Sequence, residues 1–149
     1  MIDPADRIAL VKLDLSFTDW VGWVLPGGGI QPGEDHRTAL VRELTEETGV
    51  PQVYMGPPIA ERTHLGSSIA QEYDGQQETI YLVPCHEFEL APAFSPEELR
   101  AEGVVEVRWW TVDEIEASDE SIKPDDLADL ARQVLATGAP AQPIVLTEG

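Results

Sequence analysis

The chain has 149 residues, the size of one folded domain and enough to bury a core. Its 28 Asp and Glu against 9 Lys and Arg give a formal charge of −19, which repels a phosphate backbone and argues against a DNA- or RNA-coating surface. Cys85 is the only cysteine, which excludes an internal disulfide framework and a cysteine-based zinc site.

In chain order, residues 8–13 (IALVKL) read as a strand and 14–19 as a turn. Residues 21–25 (VGWVL) form a second apolar strand, stopped by Pro26 and the glycines 27 to 29. A helix follows, with Asp35 as N-cap, Ala39, Leu40, Val41 and Leu44 as its apolar stripe, and Gly49 as its stop. Residues 53–60, 78–83 and 86–90 read as strands, the last from its clean alternation. Residues 95–102, with Ser95 as cap and Pro96 behind it, predict a short helix or acidic loop. Residues 104–111 are a predicted strand and 112–117 a short helix. Residues 124–136 are a helix with Leu127, Leu130, Ala131, Val134 and Leu135 inward. The pattern predicts an α+β fold with a mixed sheet between helices, one domain over residues 1–141 and a C-terminal tail over 142–149. No leader layout opens the chain and no apolar run approaches membrane-spanning length, so the expected location is cytoplasmic, with no membrane partner.

The chemistry concentrates in residues 28–50, GGIQPGEDHRTALVRELTEETGV. At roughly 100° per residue, Glu43, Glu46 and Glu47 fall within about 100° of arc on one helix face. Three carboxylates there repel one another, with Arg42 adjacent and Glu34 just before the helix. A hard divalent cation such as Mg²⁺ turns that repulsion into binding, because it takes oxygen ligands and keeps waters that a phosphate can displace. A solvated acidic stripe is the plainer alternative. The preceding glycines let the backbone approach a ligand closely. No Gly-Lys-Ser/Thr follows, so the loop is not a P-loop.

Gly28, five residues, Glu34, seven residues, then Arg42-Glu43-Leu44-Thr45-Glu46-Glu47-Thr48-Gly49-Val50 resembles the complete signature of the Nudix hydrolases. Trp23-Val24-Leu25-Pro26 and Arg108-Trp109-Trp110 resemble that family's flanking strands, extending the likeness over roughly residues 7 to 136. The resemblance implies an α/β/α sandwich and hydrolysis of a phosphoanhydride bond in a nucleoside diphosphate linked to another moiety, with Mg²⁺ or Mn²⁺. Nucleotide sugars, ADP-ribose-like compounds and nucleoside triphosphates all answer that description. By position, Glu43, Glu46 and Glu47 match the metal ligands, and the backbone of Gly28 matches a further one. Arg42 matches the residue that orients the glutamates, and Glu34 supports the loop.

Glu46 is the first candidate for general base. In some relatives a glutamate before the Arg-Trp strand takes that part, and spacing points to Glu102, then Glu98. Trp23, Tyr81 and Trp109 are candidates for stacking a base, against the commoner role of core aromatics. His64, Arg7, Lys12 and Arg62 are candidates for a phosphate contact. The family usually opens with one more strand. Here the residues before position 8 leave little room for it: either the sequence starts late, or the first edge strand is short or missing, which would expose a neighbour and favour a homodimer. The extra motifs of the ADP-ribose, NADH and dinucleoside polyphosphate subgroups are absent: Pro57 and Pro58 come early and Tyr73 late. The expected partner is therefore a small-molecule nucleotide derivative of open identity, with no nucleic acid polymer. A catalytically silent Nudix-fold nucleotide-binding or regulatory module is the alternative.

Overall fold

The structure, a computed structural model, describes residues 1–15, 20–27, 32–65, 75–91, 95, 97–98, 101 and 103–146. In chain order its elements are β1 (Ile8–Leu15), β2 (Trp20–Val24), α1 (His36–Thr48), β3 (Pro58–Leu65), β4 (Gly75–Tyr81), β5 (Val104–Trp110), α2 (Val112–Ala117), β6 (Ile122–Lys123), α3 (Leu127–Thr137) and β7 (Ile144–Leu146).

β1 organises the first sheet, which runs β5-β1-β2-β6. Its opening run Ile8-Ala9-Leu10-Val11 is buried on both faces, as a strand with apolar layers above and below must be. β1 pairs antiparallel with β2 (Lys12 opposite Trp23) and with β5 (Leu10 opposite Arg108), and β2 pairs in parallel with β6. The second sheet runs β4-β3-β7, antiparallel on one side of β3 and parallel on the other.

Helices cover both faces of the first sheet. On one, Ile8, Leu10, Trp23 and Trp110 pack with Val112 and Ile115 of α2 and Leu127 and Ala131 of α3. Trp23 and Trp110 meet edge to face at 5.0 Å, the arrangement their ring quadrupoles favour. On the other face Ala9 packs with Leu44 of α1, Val50, Val83 and Cys85. A third cluster joins Leu130 and Val134 of α3 to Ile59, Ala60 and Leu146, so α3 fastens one sheet to the other. The layering is that of the expected α+β sandwich. Among the described residues no helix is long and apolar enough to cross a membrane.

α1 is fixed at both ends. Asp35 Oδ1 accepts the N–H of Thr38 at 2.7 Å, a contact that holds the Asp35 carboxyl below its usual pKa. Gly49 closes the helix at φ 73°, and its N–H donates to Thr45 O at 3.1 Å. A Cβ at position 49 would collide with the carbonyl of Ala91, whose N–H donates to Thr48 O at 2.9 Å. Glycine is required there for conformation and for space.

Several expectations shift. The strand expected over 53–60 begins only at Pro58, and the one expected over 78–83 ends at Tyr81. Residues 86–90 form no strand. Their alternation comes from Phe88 and Leu90 packing against the cluster around Val50 and Val83, with no neighbouring strand to ladder against. Ile144–Leu146, placed in the tail by the sequence, form β7 because Leu146 is buried against Ile59 and Ala60. The first edge strand is a stub: Ile2 alone bridges Ile8 and Pro84. Pairing on both sides leaves β1 without an open edge. Within 95–102, Ser95 and Glu98 exchange N–H to side-chain bonds of 3.1 and 3.2 Å, a capping box.

Gly49→Ala is expected to destabilise the chain by at least about 1–2 kcal/mol, from the left-handed backbone alone. A urea unfolding curve with an unchanged slope and a lower midpoint is the check.

Candidate active site

β2 delivers the chain through Pro26 to Gly27, whose backbone N–H donates to Glu47 Oε1 at 2.9 Å. That bond joins the glycine loop to the last turn of α1 across twenty residues of sequence. Glu47 is only 6% exposed. A carboxylate so buried stays charged only with such donors around it. Leu44, three residues earlier on the same helix, anchors α1 in the core, so Gly27 and the glutamate face share one support.

On the adjoining face Arg42 gathers the other acids. Its Nε and Nη2 hold Glu34 as a fork, at 2.8 and 3.1 Å, and its Nη1 donates to Glu43 Oε1 at 2.8 Å and Glu46 Oε2 at 3.2 Å. All four side chains are less than a third exposed. Glu34 foremost, then Glu43, push the Arg42 pKa further above its ordinary value, so the guanidinium stays charged throughout the working pH range.

Among the described interactions one arginine faces four carboxylates, which leaves an excess of negative charge. Its donors are hard oxygens on a rigid helix, the set that suits Mg²⁺ or Mn²⁺. By this chemistry the residues fit a divalent cation. Among the described residues no group of three acidic, histidine or cysteine side chains is placed to hold a metal ion. The carboxylates are gathered on Arg42 and Gly27 instead.

The other candidates separate clearly. Gly28 and Glu102 lie outside the described residues, as does the side chain of His64. Glu98 is engaged with Ser95. Trp23 is 1% exposed and belongs to the core. Trp109 lies against Phe88 (5.5 Å) and under Arg7 (5.5 Å), and Tyr81 lies under Arg37 (5.8 Å). Lys12 shares a sheet face with Trp23, opposite the face that carries α1, and pairs with Glu120 at 3.2 Å. It is therefore on the wrong side of the sheet for the glutamates. Arg7 is bound to the buried Asp3 at 2.7 Å, and Arg62 is buried in β3.

The bond between Gly27 and Glu47 escaped the sequence reading, although a signal existed. Glu47 falls seven residues after Leu40 and three after Leu44, beside the apolar stripe, so its burial was readable from the helical period.

The chain matches the NUDIX domain over residues 1–135. An RNA pyrophosphohydrolase of Rhodopseudomonas palustris (strain BisB18) is 43% identical over 68 residues, 41% of this chain and 39% of that protein. Nudix hydrolase 25 of Arabidopsis thaliana is 38% identical over 72 residues, 41% of each chain. The matched stretch thus spans about two fifths of these relatives' length. A NUDIX hydrolase from Nitrosomonas europaea superposes with a TM-score of 0.64 at 20% identity, over 93% of this chain and 86% of that one, a likeness of fold.

Glu47→Ala removes a charged acceptor of the Gly27 N–H and is expected to cost about 1.5–3 kcal/mol of stability, the usual worth of a hydrogen bond to a charged group. Glu47→Gln keeps an acceptor oxygen and should cost less. Chemical denaturation of the two variants side by side is the check.

Proposed function

The chain belongs to the NUDIX domain family, and from that premise we propose that it is a divalent-metal-dependent pyrophosphohydrolase acting on a small nucleotide derivative. The bond cleaved is a phosphoanhydride in a nucleoside diphosphate linked to another moiety. The observation that carries this reading is the convergence of Glu43 and Glu46 on one nitrogen of Arg42, with Glu47 fixed beside them by Gly27.

In this reading Glu43, Glu46, Glu47 and the backbone of Gly28 hold Mg²⁺ or Mn²⁺. The bound cation supplies charge neutralisation for the phosphate oxygens and makes water a better nucleophile near neutral pH. The chain's own residues do the positioning. Gly27 and Glu47 fix the loop against the helix, and Arg42 holds Glu43 and Glu46 at their spacing. Glu46 takes the proton of the attacking water, and Glu102 is the second candidate for that role.

Charge favours a compact substrate over a polymer. Arg7, Lys12, Lys123 and Arg132 are each bound by acids of the chain itself, and Arg42 by the glutamates of the site. A long phosphate backbone would find few counter-charges. The RNA pyrophosphohydrolase likeness makes this a direct comparison: with Mg²⁺, nucleoside triphosphates, nucleotide sugars or ADP-ribose should be turned over faster than a triphosphorylated RNA oligonucleotide.

Glu46→Gln is expected to lower kcat by about 10²–10⁴-fold, the usual contribution of a general base, with an unchanged circular dichroism spectrum. A chelator should abolish activity in the unaltered chain, and Mg²⁺ should restore it. Full activity in Glu46→Gln would remove Glu46 from the mechanism and transfer the base role to Glu102.

A further inference from the structure

We infer that β5 is the interface for a second copy of this chain. The two β5 strands pair antiparallel about a two-fold axis at Val107 and join the two β5-β1-β2-β6 sheets into one.

β5 ends its sheet, and among the described residues no strand lies on its outer side. The direction of its main-chain groups follows from its neighbours. Ala9 gives its N–H to Met1 O at 3.2 Å, and Trp23, opposite Lys12, gives its own to Ser121 O at 2.8 Å, beyond β2. Main-chain groups alternate in direction along a strand, so Ile8, Leu10 and Lys12 turn theirs to β5. Their partners there are Trp110, Arg108 and Glu106. Val107 and Trp109, between those partners, turn their N–H and C=O to the open side. The irregularity in this pairing falls at Val105, so the ladder is regular from Glu106 to Trp110.

The side chains of β5 are self-complementary about Val107. An antiparallel copy sets Val107 opposite Val107, Glu106 opposite Arg108, and Val105 opposite Trp109. Glu106 and Arg108 then form the closer, non-hydrogen-bonded pair, with an ion pair on either side of the axis. Within one chain neither is in an ion pair among the described residues. Lys12, across from Glu106, is taken by Glu120 at 3.2 Å. Arg108 lies 3.6 Å from the centre of the Trp110 ring, with its Nε buried and without a hydrogen-bond partner. Glu114 and Glu120 feel its charge only at longer range. Val105 is 58% exposed and gains an aromatic neighbour. Charges guard an edge strand when one sign repeats, because like charges then meet in such a pairing. Here acid and base stand on opposite sides of the centre, which favours the pairing.

The test is sedimentation equilibrium of the full chain over a range of concentration. The unaltered chain should dimerise reversibly. Glu106→Arg alone and Arg108→Glu alone should each be monomeric, because like charges then meet on both sides of the axis. An equal mixture of these two variants restores both opposite pairs and should sediment as a dimer. Val107→Pro removes an N–H turned to the open edge, where proline is tolerated, and should be monomeric with an unchanged circular dichroism spectrum. It carries the test if a charge variant does not fold. A monomeric unaltered chain at every concentration overturns the inference. So does a dimer that survives Glu106→Arg or Val107→Pro, or a mixture of folded charge variants that stays monomeric.

Discussion

Carboxylate repulsion is the constraint that the rest of the structure answers. Glu34, Glu43, Glu46 and Glu47 stand together in a chain already carrying nineteen excess negative charges, and the Arg42 guanidinium and the Gly27 N–H are among the groups that hold them there. Such an arrangement needs a stiff support, or the acids would splay into water. α1 supplies it: Asp35 caps its first turn, Gly49 closes its last, and Leu44 roots it in the core against Ala9 of the central strand.

The same constraint explains how the scarce cations are distributed. Arg7 holds Asp3 and the turn before β1, Lys12 holds Glu120 on the far face of the sheet, and Arg132 joins Asp113 and Glu116 of α2 to α3. Each damps local repulsion and fastens one segment to another. These three cations are engaged within the chain, so in the proposed reading a bound cation would meet part of the substrate's charge. Fold and proposed chemistry thus follow from one imbalance.

What the sequence made legible was local. The bounds of α1 follow from Asp35 and Gly49, because caps are read from a few neighbouring residues, and in the structure a Thr111–Glu114 capping box closes the start of α2. The glutamate face followed from helical period alone. Strands fared less well: β3 starts opposite Tyr81, the last residue of β4, and meets the first residue of β7 at Ala60, information held elsewhere in the chain. Residues 86–90 alternate yet form no strand, and Ile144–Leu146 join a sheet that no local signal announced. In the site, the bond from Gly27 to Glu47 joins residues twenty positions apart, a contact that local propensity does not encode. The face on which Lys12 lies depends on strand register, where a one-residue slip reverses every side chain.

The claim on which the account depends is that these glutamates form the metal site. Its most direct test is anomalous diffraction from crystals of the full chain equilibrated with Mn²⁺. The account predicts the strongest anomalous peak among the carboxylates of Glu43, Glu46 and Glu47. A peak instead in the acidic groove lined by Glu116, Glu120, Asp125 and Asp129, with none on α1, would contradict it.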